Sequence, residues 1–347
     1  MPSSTFTNIA LSRRSLLAGF GVAAGTLALA ACSPAGASST AATASAGATA
    51  GTVTTINVAG IPTSALAPFK LAISEGAFTD VGLDIVYKEY AASDAVYTAY
   101  RAGGVDAGLG GIPSLANLVA SGVDRKVVFA LQRTTNGMLV RANDGISTVA
   151  DLKGKKIGLF GSAIGSSANQ FFALCRKYYD FDPMTEASVQ YGAPSLLAEL
   201  LGKGDIDMAL VIDPAGTPQV ASGAYVNIGD LGVVLEEKSG ITAYTAGWDF
   251  DSKFLAANAA AVQAFVDVNL AYQAKFNKDQ ALWDAALKAL YKIEDQAVLD
   301  IIFADQAGRL VETWGDTEKA EAQSLLEFLS ENGQPDFLPS IPKNLFA

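Results

Sequence analysis

The chain has no histidine in its 347 residues. That excludes histidine-based triads, imidazole general bases and histidine metal ligands at any position. Cysteine is almost as scarce. Cys32 and Cys175 are the only two, far apart and in unlike contexts, so a disulfide framework is excluded as well. Basic residues are outnumbered: 24 Lys and Arg stand against 35 Asp and Glu, a net charge of −11. Such a balance argues against a nucleic-acid partner and against a polybasic membrane patch, while leaving room for a local anion site. The longest apolar run, 16–31, is too short for a comfortable transmembrane span. Serines are plentiful, but none has a histidine to activate it, and no metal cluster or suitably paired carboxylates stand out. Neither an enzyme activity nor a cofactor is expected.

What is present begins with a targeting segment. Arg13 and Arg14 within Ser12–Leu17 have the form of a twin-arginine export signal. The small-residue apolar run then ends in Leu29-Ala30-Ala31-Cys32, the form of a bacterial lipobox. Residues 1–32 are therefore expected to be a signal peptide with Cys32 as the lipidated residue. Residues 33–52 hold only Ala, Ser, Thr, Gly and one Pro. They cannot bury a core and form a tether whose coil length is on the order of 25 Å.

Beyond the tether, half-buried strands alternate with helices. A strand over 53–59 precedes a loop, 60–65, and an amphipathic helix over 66–77. Strands follow at 82–87, 105–109 and 126–131, with helices at 93–102 and after Gly110-Gly111-Ile112-Pro113. The apolar segment 137–141 reads as a crossing into a second domain. The most informative stretch is Val149–Asn169. A polar turn leads into a strand over 155–160, a Gly/Ser loop over 161–167, and a helix over 167–179. That geometry offers free amides at the positive end of a helix, an anion site that needs no Lys or Arg. Ordinary serine capping would use the same residues. The loop is neither a P-loop nor G-x-G-x-x-G. Asp213-Pro214 follows a buried strand over 208–212 and suits an N-cap followed by N1 proline; Asp213 could instead meet a ligand amine. A return strand over 241–248 and helices over 256–276, 278–291, 295–307 and 316–331 complete the chain, the helices expected to pack on the first domain.

Four stretches carry a resemblance: LAPFKLAISEGAFTDVGLDIVY, AGGVDAGLGGIPSLANLVASG, VADLKGKKIGLFGSAIGSSANQFFALCRKY and LLAELLGKGDIDMALVIDPAGTPQVASG. Together they resemble the bacterial solute-binding proteins for aliphatic sulfonates, taurine, nitrate and thiamine-pyrimidine precursors, which serve ABC importers. The match runs from about Val53 to about Gly247. It implies an α/β, two-lobed clamshell of the type II periplasmic-binding-protein kind, each lobe a mixed sheet flanked by helices. Lobe 1 would be 53–136 plus 245–347, and lobe 2 would be 137–244.

Ligands of open α/β sheets bind beyond the carboxyl ends of the strands. That rule, with the resemblance, selects Thr63, Ser64, Gly111 and Ile112 on one lobe, and Ser162, Gly165, Ser166, Ser167 and Asp213 on the other. Ser166 and Ser167 would hold an acidic oxygen of the ligand. Arg133, Tyr244 and Trp248 could reach a ligand or serve the surface and the core, and Cys175 reads as a core thiol. The resemblance implies a monomeric, extracytoplasmic, lipid-anchored component of an ABC importer, with permease and ATPase as partners and a small organic anion such as a sulfonate or taurine as ligand. A thiamine-pyrimidine precursor or another heteroaromatic is the alternative ligand, and a receptor for a membrane sensor the alternative role. A related pyrimidine synthase consumes its own histidine and uses a Cys-rich motif; this chain has neither.

Overall fold

The computed structural model describes residues 53–347; the export signal, Cys32 and the tether lie outside the described residues. The strands are β1 (Thr54–Gly60), β2 (Leu83–Glu89), β3 (Ala107–Gly111), β4 (Arg125–Arg133), β5 (Gly137–Arg141), β6 (Lys156–Phe160), β7 (Ser188–Gly192), β8 (Met208–Val211), β9 (Tyr225–Asp230) and β10 (Tyr244–Asp251). They form two five-stranded sheets, ordered β2-β1-β3-β10-β4 and β7-β6-β8-β5-β9. In the first, β1 runs parallel to β2 and β3, and β10 lies antiparallel between β3 and β4. The second repeats the pattern, with β6 parallel to β7 and β8, and β5 antiparallel between β8 and β9. Both sheets are mixed and flanked by helices, the two-lobed clamshell architecture. The segment 137–141 is thus a full central strand of the second sheet rather than a bare crossing.

Aromatic packing anchors the first sheet. Trp248 on β10 is fully buried, with its ring centroid 4.8 Å from Phe69 and 5.2 Å from Phe265. Aromatic pairs at such spacing add to the burial of their large apolar area. Trp248 is therefore a core residue. Tyr244, also on β10, packs edge-on against Trp314 and donates its hydroxyl to Glu321 at 2.8 Å. Arg133 ends β4 and donates to the Gly308 carbonyl at 2.8 Å.

In the second lobe the helix Ser166–Tyr178 is buried at every position from Ser166 to Cys175. It packs against the helix Leu231–Ser239 and against the last helix, Asp316–Asn332. That contact corrects one expectation. The last helix does not pack on the first lobe alone. Its Phe328 stacks on Tyr178 with centroids 6.3 Å apart, and the Gly333 carbonyl that follows it accepts from Arg176. The helix Gln296–Gln306 likewise touches the short helix Thr217–Ala221 of the second lobe. Its buried positions are Val298, Leu299 and Ile302, with Gln306 at its end, and this mainly apolar pattern does not say in sequence which lobe the helix covers.

Candidate functional site

The carboxyl ends of all four central parallel strands open into one cleft between the sheets. Ile61 and Thr63 follow β1, Gly110 and Gly111 end β3, Phe160 to Ser162 end and follow β6, and Ile212 follows β8. Gln132 at the end of β4 and Thr245 on β10 complete the floor. The cleft holds about 700 Å3 of empty space, its open mouth included. This is the position at which the topology of open α/β sheets places ligands.

Two helix N-termini from opposite lobes converge there. The helix Ile112–Ala120 starts from Gly111 with proline in its first turn, and the helix Ser166–Tyr178 starts from Gly165; neither N-cap supplies a side chain. The first four amides of a helix lack internal partners, and the helix dipole adds partial positive charge beside them. In the Ser166 helix the first amide to close on the preceding turn is that of Asn169, 3.1 Å from the Gly165 carbonyl. No Lys or Arg lines the cleft, and Asp94 is its one charged side chain among the described residues.

The lobes touch directly at this point. The Ser114 amide, third in its helix, donates to Ser166 Oγ at 3.1 Å. Ser114 Oγ donates to the Ile164 carbonyl at 2.9 Å and lies 3.0 Å from Ser166 Oγ. Ser162 Oγ donates to Asp94 Oδ1 at 3.2 Å, and the Ser64 amide donates to the Asp213 carbonyl at 3.3 Å. The structure is thus a closed clamshell in which Ser166 caps a helix of the other lobe. Ser167 Oγ donates to Asn136 Oδ1 at 3.1 Å, on the segment joining β4 to β5. At the same crossing the Thr134 amide donates to the Ala243 carbonyl at 2.6 Å and Thr134 Oγ1 donates to Gln170 Oε1 at 3.0 Å.

Of the residues selected from sequence, Thr63, Gly111, Ser162, Gly165, Ser166 and Ser167 line the cleft together. Ser64, Ile112 and Asp213 do not. Ser64 and Ile112 are buried outside its lining. Asp213 faces a separate cavity shared with Asp305 and Asn227. Nor does it cap a helix: the Asp213–Pro214 bond is cis, and the next helix starts from Gly216. The carboxyl accepts instead from Thr217 at 2.9 Å and from Gln306 at 3.2 Å, and burial raises it above the ordinary range. Arg133, Tyr244 and Trp248 are absent from the lining.

Sequence reasoning missed Ser114, Tyr97, Asn136, Gln132, Thr245, Phe160 and Asp94. Ser114 had a signal, since it is the third residue after the Gly111 turn, where a helix amide is still free. Tyr97 had none beyond helical periodicity, which marks a core position.

A family model described as NMT1/THI5 like matches residues 63–279. No curated protein matches the chain. Among solved structures, the alkanesulfonate-binding protein SsuA from Xanthomonas axonopodis pv. citri, bound to MOPS, is similar with a TM-score of 0.69 at 18% identity, over 85% of this chain and 96% of that one. The periplasmic aliphatic sulphonate binding protein SsuA from Escherichia coli gives 0.65 at 19%, over 84% and 98%. The periplasmic nitrate-binding protein NrtA from Synechocystis PCC 6803 gives 0.62 at 14%, over 80% of each chain. At these identities the likeness is one of fold.

Proposed function

The chain belongs to the NMT1/THI5-like family, and from that premise we propose that it is the extracytoplasmic solute-binding component of an ABC importer, closing its two lobes on a small organic anion such as a sulfonate or taurine. It is a binding protein, not an enzyme: with no histidine in the chain, the cleft serines have no imidazole base. One observation carries the ligand class. The start of the Ser166 helix, whose first amides have no partner within the helix, opens into a cleft lined by no Lys or Arg. Amides at helix starts bind anions without a formal counter-charge. Hinge closure around the ligand then presents one closed shape to a permease and its ATPase. Cys32, by its lipobox context, tethers the protein to the membrane.

A second reading rests on the rest of the lining. Ile61, Leu131, Phe160 and Ile212 form apolar walls, and Asp94 can accept from an amino group. A heteroaromatic amine such as a thiamine-pyrimidine precursor suits those walls.

A thermal-shift screen of the chain from Ser33 onward separates the two. The panel is taurine, ethanesulfonate, nitrate and 4-amino-5-hydroxymethyl-2-methylpyrimidine. A ligand at a hundredfold its Kd stabilises the fold by about 2.7 kcal/mol. A shift with a sulfonate, lost in Ser162→Ala/Ser167→Ala, supports the anion reading. A shift with the pyrimidine alone overturns it. Radiolabelled palmitate incorporated by the full chain and not by Cys32→Ser would test the anchor.

A further inference from the structure

Two tyrosines on the helix Ser93–Ala102 reach the same strand end and use their hydroxyls differently. Tyr100 and Tyr97 are 8% and 4% exposed, and both rings lie against the glycines of β3. A Cβ on Gly108 would overlap the Tyr100 hydroxyl, and one on Gly110 would come within 3.2 Å of the Tyr97 ring. The sequence Ala107-Gly108-Leu109-Gly110-Gly111 therefore makes room for two phenols. Tyr100 donates its proton to Asp249 at 2.9 Å, and that carboxylate also pairs with Arg125. Tyr97 is placed one helical turn closer to the cleft, which it lines. Its oxygen accepts the Gly111 amide at 3.1 Å and has the Ser114 side chain beside it, so the phenolic proton can turn either to Ser114 or into the cleft.

We infer that Tyr97 is a ligand-binding residue, its hydroxyl donating to an acceptor oxygen or ring nitrogen of the solute at the start of the Ile112 helix. The inference rests on the cleft being the solute site, as proposed above. Accepting the Gly111 N–H fixes the oxygen, and the buried ring fixes the plane, so the donor is held in place before the solute arrives. Burial pushes the phenol up to about 12, so it keeps its proton across the physiological range. The group is thus a neutral donor for which an anion or a heteroaromatic acceptor is suited and a cation is not. It also explains how a site without Lys or Arg gains a strong side-chain donor from lobe 1. Tyr100 cannot take that part, because Asp249 holds its proton.

The test compares Tyr97→Phe with the parent by calorimetry, using taurine, ethanesulfonate and 4-amino-5-hydroxymethyl-2-methylpyrimidine as probes on protein labelled with 13C at the tyrosine ζ carbon. For whichever probe binds the parent, Tyr97→Phe is expected to weaken binding about tenfold or more. One ζ-carbon resonance, missing from the Tyr97→Phe spectrum, is expected to move when the parent is saturated. Affinity kept within twofold, an unmoved resonance, or binding of none of the probes overturns the inference. If only the pyrimidine binds, with this Tyr97 dependence, the anion reading fails and the role of Tyr97 stands.

Discussion

Ser166 Oγ accepts the Ser114 amide at 3.1 Å, so the first turn of a helix in one lobe is capped by the first residue of a helix in the other. Capping normally comes from the residue just before the helix, and losing such a cap costs about 1 kcal/mol. Here the cap exists only while the lobes are closed. Ser166→Ala should therefore cost closure rather than folding, and lower the affinity for a bound solute roughly fivefold. Gly111→Ala is the sharper variant. Its backbone, at φ −70, accepts any residue, but the new Cβ would overlap Ser166 Oγ. Calorimetry should show a loss above tenfold, with an unchanged circular dichroism spectrum and an expanded small-angle scattering profile. A compact, tight-binding Gly111→Ala protein would contradict the closed geometry.

Stability should fall as pH rises from about 4 to about 7 in a way traceable to two carboxyls. Burial pushes Asp230 and Asp305 from 3.8 to about 7, with Asp213 close enough to repel both. In that window the unfolded chain has released these protons and the folded chain still holds them. The folded state therefore binds more protons, and raising the pH disfavours it. Above about 7 both states are ionised and the effect levels off. Asp230 caps the helix Leu231–Ser239 through the Gly232 and Val233 amides, a role asparagine can keep. Arg309, 4.0 Å from Asp230, retains Glu236 at 3.0 Å. Urea titrations at pH 4.5 and 7.5 should therefore show a smaller decline for Asp230→Asn/Asp305→Asn than for the parent. Equal declines would mean these carboxyls ionise normally in the fold.

The strand-to-helix turns were legible because their chemistry is local. Gly110-Gly111-Ile112-Pro113 and Gly161–Ser167 each announce a helix start at the end of a strand, and each turn puts its glycines into the cleft lining, the second with Ser162, Ser166 and Ser167. What sequence could not give was partnership over distance. Ser114 and Ser166 are 52 positions apart, and nothing in either turn names the other. Asp213 had the right neighbour for a cap, yet the chain turns through a cis bond and starts its helix at Gly216–Thr217. The last helix shows the same limit. Its buried Leu325, Leu326 and Leu329 would suit either lobe, and the choice is made by Tyr178 and Arg176 on the Ser166 helix.

Cys175 should report unfolding and little else. It is fully buried on the Ser166 helix, and burial holds its thiol well above the ordinary range. Thiols react as thiolates, so both access and ionisation protect it. In a Cys32→Ser chain, Ellman's reagent should find no reactive thiol under native conditions and one beyond the urea midpoint. A thiol that titrates at once in native buffer would place Cys175 at the surface.

Two ion pairs in lobe 1 should differ several-fold in what their loss costs. Lys70 and Glu89 meet at 2.7 Å with side chains 20% and 39% exposed, where water screens the charges. Such pairs contribute about 0–1 kcal/mol, so Glu89→Gln should hardly move the urea midpoint. Arg125 and Asp249 are 3% and 0% exposed. The guanidinium also donates to the Val105 and Asp106 carbonyls at 3.0 and 3.2 Å and lies 3.8 Å from the Tyr100 ring centroid. Asp249→Ala would leave a buried cation without its carboxylate and the Tyr100 hydroxyl without its acceptor. Removing one partner of a buried pair costs about 3–5 kcal/mol. Because Tyr100 and Tyr97 share the helix beside β3, the Asp249→Ala protein should also bind its solute more weakly, and Arg125→Met/Asp249→Leu, which removes both charges, should recover stability more than binding. Equal recovery of the two would separate this buried network from the cleft.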